Sequence, residues 1–369
     1  MKNEWKHVLK KLPWLILLPI GLLWPTVLAG HTDWVERVYA GCIYPAIKDA
    51  LSAVTSAVPF SLAELCLYGL IAGVAALLLT ALFRLLSRRV RLSWVVSEVL
   101  SLLILCGVLL NWFYISWGGN YFRRPLYERM GLTVEKRPVA ELNEMVRDLA
   151  DTADFLRDSL QVAEDENGVF TLPEGTQSMM DHLPEAYGKL SAVYPLFSGK
   201  VTRAKGVLWS EKLSRRGVAG IYVGMTAEPN INVAQTDLLL PQAAAHEMAH
   251  QLGVASENEA EFTAYLACLS SDDPAVRYSG VMYALIVCGN ALHDVDDALY
   301  QQVRSGYSDA MERDLAAYKA YWDAYDGAEQ ERADAQNDFY LKYNAQESGV
   351  KSYGEAVDLL LAYYNLTKS

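Results

Sequence analysis

Residues 243–268 read AAAHEMAHQLGVASENEAEFTAYLAC. A helix built of alanines and other small apolar residues looks made for burial, yet this one carries two histidines and a crowd of carboxylates. Pro241 suits the first turn of a helix and Gly253 its end, so the helix is expected between them. His246 and His250 are four residues apart and share one face of it. Two neutral imidazoles at that spacing can both reach one Zn²⁺ at about 2.0–2.1 Å. Glu247 lies beside that face, placed to contact a water rather than the metal. Zinc lowers the pKa of a water towards about 7, and an adjacent carboxylate can take its proton during attack on a carbonyl.

A catalytic zinc needs a third protein ligand and an open position. Glu257 opens the next helical run, after the turn at Gly253. By helical periodicity it shares a face with Ala260, Glu261, Ala264 and Ala267. Small residues let two helices approach closely, which would bring Glu257 to the metal and put Glu261 one turn on. There Glu261 can accept a hydrogen bond from a ligand histidine. Glu259 points the other way with Phe262 and Leu266, so it is not expected to share the ion. A solvated helix start would also favour acids at these positions. A buried cation explains better why so many polar groups sit in so apolar a stretch.

The rest of the chain divides near Trp117. Residues 1–117 hold 10 of the 32 Lys+Arg and 6 of the 44 Asp+Glu, a net of +4; residues 118–369 hold the remaining 22 and 38, a net of −16. An acidic second half argues against a nucleic-acid partner, because phosphate binding needs basic surface. The first half contains apolar stretches at about 12–30, 62–86 and 92–117. Each is long enough to cross about 30 Å of hydrocarbon. The first is read as a retained anchor rather than a cleaved signal peptide. Lys2, Lys6, Lys10 and Lys11 precede the first span, and Arg84, Arg88, Arg89 and Arg91 lie between the second and third. The Lys/Arg bias predicts a cytoplasmic N-terminus in the cell membrane and an extracytoplasmic domain at 118–369. Of the five cysteines, Cys42, Cys66 and Cys106 lie in or near the membrane part. Cys268 and Cys288 either pair, if the domain is outside, or are buried free thiols.

The second half is mainly helical. ELNEMVRDLADTADFLRDSLQVAE (141–164) puts Leu142, Met145, Val146, Leu149, Phe155 and Leu156 on one stripe. DHLPEAYGKLSAVYPLF is a second, broken helix, and GVLWS, GIYVGM and PNINVA are candidate strands. The predicted fold is a membrane-anchored α+β protein: three N-terminal transmembrane helices, then a helical domain with a small β-sheet.

Glu257-x-x-Ala260-Glu261 resembles the Glu-x-x-Ala/Ser-Asp element of gluzincin metallopeptidases. In that family the first Glu is the third zinc ligand and the Asp orients a histidine. Here Glu261 stands for the Asp, one methylene longer, and the gap to the histidine motif is much shorter than in thermolysin-like enzymes. Gly253 sits where metzincins keep a turn glycine, but Ser256 takes the place of their third histidine. A broader resemblance, over nearly the whole chain, is to a bacterial membrane family, domain-of-unknown-function family 3810. WGGNYFRRPLYERMGL, GIYVGMTAEPNINV, HEMAHQLGVASENEAEFTAYLA and YLKYNAQESGVKSYGEAVDLLLAYY carry it. It implies three spans, a zincin-like domain and zinc chemistry, and no particular substrate.

Zincins commonly bind peptide along an edge strand upstream of the metal helix. GIYVGMTAEPNINV is in the right place, and Glu228, Asn230 and Asn232 are expected to line the cleft. Tyr340, Lys342, Tyr353 and His293 are candidates for donating to a developing oxyanion or to substrate. The leading reading is a membrane-anchored zinc metallopeptidase acting on a peptide or protein in the cell envelope. The alternative is a catalytically inactive zincin-like module for binding or envelope assembly. Such a module would be free to lose Glu247, which is present.

Overall fold

The computed structural model describes all residues except 1–4, 88–90, 136, 161–162, 345, 347–355 and 369. Near the N-terminus three helices, Lys6–Ala29, Leu62–Leu86 and Leu92–Ser116, are long and apolar enough to cross a membrane. The first and third pack along each other through glycines. A Cβ on Gly107 would fall 2.7 Å from Leu18 N, and one on Gly21 would fall 2.8 Å from Leu110 Cβ. At this close approach Asn111 donates to Leu17 O (2.7 Å) and accepts from Trp24 Nε1 (2.9 Å), so polar groups reinforce an apolar contact. The apolar run of Leu62–Leu86 stands apart from the first helix, with none of its residues buried.

Between the first two apolar helices the chain stays helical through Thr32–Trp34, a π-helical Val35–Ile43 and Tyr44–Thr55. The π-turn has a physical reason. Tyr39 and Tyr44 are five apart, and the wider turn puts both on the buried face with Val35, Lys48, Ser52 and Thr55. That face packs on the domain that follows residue 117. The Tyr44 hydroxyl donates to Gln251 O (2.9 Å), at the end of the histidine helix.

That domain is helical around a three-stranded sheet, order β1-β3-β2, formed by β1 Lys205–Gly206, β2 Gly220–Val223 and β3 Glu228–Ile231. β3 is central, parallel to β1 and antiparallel to β2. The predicted strand GVLWS shrinks to its first residue, because Ser210–Ser214 turns helical. The helix Val139–Ser159 buries Leu142, Met145, Val146, Leu149 and Leu156 as its periodicity predicts. Phe155 departs from that expectation and is 74 % exposed, since its neighbour Leu156 takes the core position. A further helix long and apolar enough to cross a membrane, Pro274–Val295, forms the centre of this domain, with 67 % of its window buried. Cys268 and Cys288 are buried free thiols.

Candidate metal centre

The histidine helix is Leu240–Gln251, with Pro241 in its first turn. Gly253 follows at φ +82°, a left-handed conformation that glycine adopts without strain. The turn returns the chain at once into the helix Glu257–Leu269. Ala260, Ala264 and Ala267 are fully buried on that helix, so the two helices lie close. This carries Glu257 to the histidines.

His246 Nε2 lies 3.2 Å from Glu257 Oε2, and His250 Nε2 lies 3.6 Å from the same oxygen. His246, His250 and Glu257 are all buried, with ligand atoms within 4.8 Å of one another. A tetrahedral zinc with bonds of about 2.1 Å needs ligand atoms about 3.4 Å apart. The donor set therefore fits a zinc ion. His250 Nδ1–H donates to Val254 O (2.7 Å); a carbonyl can only accept, so Nε2 is left as the ligand nitrogen. His246 Nδ1 lies 3.4 Å from Glu261 Oε1. Glu261 is itself held by Gln242 Nε2 (3.0 Å).

Electrostatics also point to a cation. Burial pushes the Glu247 carboxyl up to about 7, although both histidines pull it down. Burial would raise Glu257 too, but His250 and His246 outweigh it and hold that carboxyl well below its usual range. Burial would lower His246, but Glu261 and Glu257 draw it well above the ordinary histidine value. Two imidazoles face three carboxylates here, and Glu247 Oε2 is buried with no hydrogen-bond partner among the described residues. A buried charge surplus of this kind is stable only when compensated.

The centre sits in a cleft of about 1050 Å³ whose walls include Gly220, Tyr222, Trp117, Tyr121 and Tyr340. Gly220 is where the sheet touches the acid: a Cβ there would lie 2.6 Å from Glu247 Oε1. β2 is an edge strand. Asn232 N donates to Ala219 O (2.9 Å), which sets the phase of the ladder. Ala219, Ile221 and Val223 turn their backbone groups to β3, while those of Gly220 and Tyr222 point outward.

Of the other residues singled out in the sequence, Tyr340 lines the cleft. Its hydroxyl accepts from Tyr121 (3.2 Å), which leaves its own proton to donate. Glu259 turns away from the histidines and accepts from Leu126 N (2.6 Å). Glu228, Asn230 and Asn232 do not line the cleft, contrary to expectation, because their strand is central and β2 separates it from the opening. Glu228 pairs with Lys205 (2.7 Å) and caps the apolar helix Leu62–Leu86 by accepting from Leu62 N (3.0 Å) and Ala63 N (2.7 Å). Asn230 bonds Ile221 O and Glu228 O, and Asn232 bonds Ser214 and Val218 O. Lys342 is also misplaced by the sequence reading: it is exposed and paired with Asp338. His293 is exposed and paired with Asp297 at the end of Pro274–Val295. Tyr353 lies outside the described residues. The sequence reading missed Gly220, Trp117 and Tyr121. Trp117 Nε1 donates to His250 O (3.2 Å) and braces the histidine helix from the end of the third apolar helix. Trp117 and Tyr121 fall within the block WGGNYF, the one signal that pointed to them.

A family model described as "Protein of unknown function (DUF3810)" matches residues 39–361, so the chain belongs to that family. No curated protein and no solved structure matches it.

Proposed function

We propose that this DUF3810 member is a zinc-dependent metallopeptidase with a zincin-like catalytic domain, 118–369. In this reading Lys6–Ala29, Leu62–Leu86 and Leu92–Ser116 are its three membrane spans, the N-terminus is cytoplasmic and the catalytic domain faces outward. One observation carries the reading: His246, His250 and Glu257 converge at zinc-like spacing, beside a Glu247 oxygen that has no other partner.

His246, His250 and Glu257 would hold the ion. When bound, it would polarise a substrate carbonyl and make water a stronger acid. The remaining work falls to the chain's own groups. The outward backbone groups of Gly220 and Tyr222 take an extended peptide as an added strand. Glu247 Oε2 accepts the proton of the attacking water and returns it to the leaving amine. Burial works to raise this carboxyl's proton affinity, and a bound cation would work to lower it. Tyr340 donates its free hydroxyl proton to the developing oxyanion. The carbonyl of Val254 fixes the His250 ring, and Glu261, 3.4 Å from His246 Nδ1, faces the other.

The test is a matched pair. Glu247→Gln keeps shape and reach but cannot take a proton. The purified full chain should hold about one zinc per molecule with or without the substitution. Hydrolysis of a broad peptide library should fall about 10²–10⁴-fold in Glu247→Gln. A wild-type chain that holds zinc and cleaves nothing would turn the reading to a binding module.

A further inference from the structure

One wall of the cleft is a membrane helix. Leu67, on Leu62–Leu86, lines it together with Trp209 and Lys212. Glu64 locks this wall in place: its carboxylate accepts from Leu208 N and Trp209 N, both at 3.0 Å, and from the Tyr68 hydroxyl. Trp209 packs on the Tyr68 ring, centroids 4.6 Å apart. The opposite wall hangs from the third apolar helix. Tyr340 packs edge-on to Phe113 at 6.2 Å, and the Tyr114 hydroxyl donates to Asn344 (3.0 Å). The cleft thus lies between the outer ends of the second and third apolar helices.

The space beneath it is open. The second and third helices are linked at the end remote from the cleft, where Arg84 lies over the Trp94 ring at 4.3 Å. Along its spanning window the second helix is wholly unburied. Below Leu67 the same helix face continues through Ile71, Val74 and Leu78, all exposed. At the level of the opening the domain also exposes apolar side chains, Leu208 at 81 % and Phe339 at 73 %. Apolar side chains thus lead from the helix face to the mouth of the cleft, whose lining also holds Lys212, Arg216, Glu329 and Asp334. Leu67 is about 8 Å along its helix at 1.5 Å per residue, a span that about three extended residues cover.

We infer that the substrate is a polypeptide anchored in the same bilayer by its own apolar helix. That helix lies against the Leu67–Ile71–Val74–Leu78 face, and its juxtamembrane segment runs extended past Leu67 to pair with the outward groups of β2. A chain entering sideways needs no passage through the acidic outer surface. It arrives with its ordering cost partly met by confinement to the membrane. This rests on the metallopeptidase reading for its chemistry, but the docking can be measured without turnover.

The experiment uses the full chain in lipid vesicles, carrying Glu247→Gln, Leu67→Cys and Cys42→Ser, Cys66→Ser and Cys106→Ser. The probe is a mixture of polar peptides, each bearing one cysteine and continuing into an apolar spanning helix. The same peptides without the helix are the control. Under mild oxidation, disulfide capture of the anchored probe at position 67 should exceed that of the free peptides by at least about tenfold, the effect of a raised local concentration. It should also exceed capture at Gly69→Cys, on the far face of the same helix. Equal capture of free and anchored peptides, equal capture at 67 and 69, or a Leu67→Cys dimer between two copies of the chain would each overturn the proposal. Cleavage by the parent chain is read separately. Capture without cleavage would remove the peptidase reading and leave the docking. Cleavage of free peptides without capture would remove the docking alone.

Discussion

Glu228 and Glu257 are both buried, 1 % and 9 % exposed, and the fold treats them in opposite ways. Glu228 is complete. A lysine and two helix-end amides neutralise it, and no lone pair needs a guest. Glu257 faces only imidazoles, which have no fixed charge, and shares its pocket with Glu247 and Glu261. Burial of a carboxylate alone therefore does not mark a site. What marks it is burial without a dedicated cation, because the missing charge must come from something the chain does not encode.

The largest effects should fall on the incomplete side of this contrast. His246→Ala or His250→Ala should abolish zinc binding by the purified chain, and Glu257→Ala should weaken it strongly, as read by metal analysis after dialysis. Glu259→Ala should leave zinc in place, since its partner is Leu126 N. Zinc loss in Glu259→Ala with retention in Glu257→Ala would erase the distinction. On the complete side, Lys205→Met strands a buried charge and should cost about 3–5 kcal/mol of stability. Zinc stoichiometry in the folded fraction should not change, and denaturant unfolding in detergent would measure the cost. Loss of zinc there at full stability would mean the two carboxylates are not independent.

Smaller changes sharpen the contrast. Gly220→Ala places a methyl 2.6 Å from Glu247 Oε1, so it should lower kcat about 10–100-fold with zinc retained, the scale of a displaced catalytic group. Glu36→Gln tests a carboxylate of the complete kind at the surface. Burial would raise Glu36, but Arg123 outweighs it and holds the carboxyl below its ordinary value. Its stabilisation is therefore present above the unfolded value of 4.5 and lost as pH falls through the folded one. Glu36→Gln should cost about 1 kcal/mol at neutral pH, and melting curves of parent and variant should converge only once the pH falls below the lowered, folded-state titration of Glu36.

Much of the centre was legible because it is local. Two histidines at one helical spacing, a glycine that must turn, and a carboxylate on the next helix's small face need no tertiary knowledge. Three apolar helices were legible for the same reason: their length and composition are the signal. Which part of GIYVGMTAEPNINV forms the edge was not. Glu228, Asn230 and Asn232 lie in the right segment, but strand order β1-β3-β2 is not sequential, and no local pattern says which strand is at the edge. Tyr340 was only one of 22 tyrosines. His293 and Lys342 had suitable chemistry, but each spends it on an acid one turn away. The segment 32–55 was read only as a connection between spans. Its π-turn is a response to tertiary packing, which periodicity cannot foresee.

The helix Pro274–Val295 has the length and apolarity of a membrane span, yet it is the centre of a folded domain. Its main partners, Val139–Ser159 and Glu257–Leu269, precede it in the chain, so most of its packing surface is already present when it is made. It must be apolar enough to form a core and still be refused by the bilayer. Arg277, His293 and Asp294 near its ends supply that refusal. Its composition is thus set by two demands at once, a dry core and exclusion from hydrocarbon, and further leucines there would trade a firmer core for a helix that a bilayer accepts.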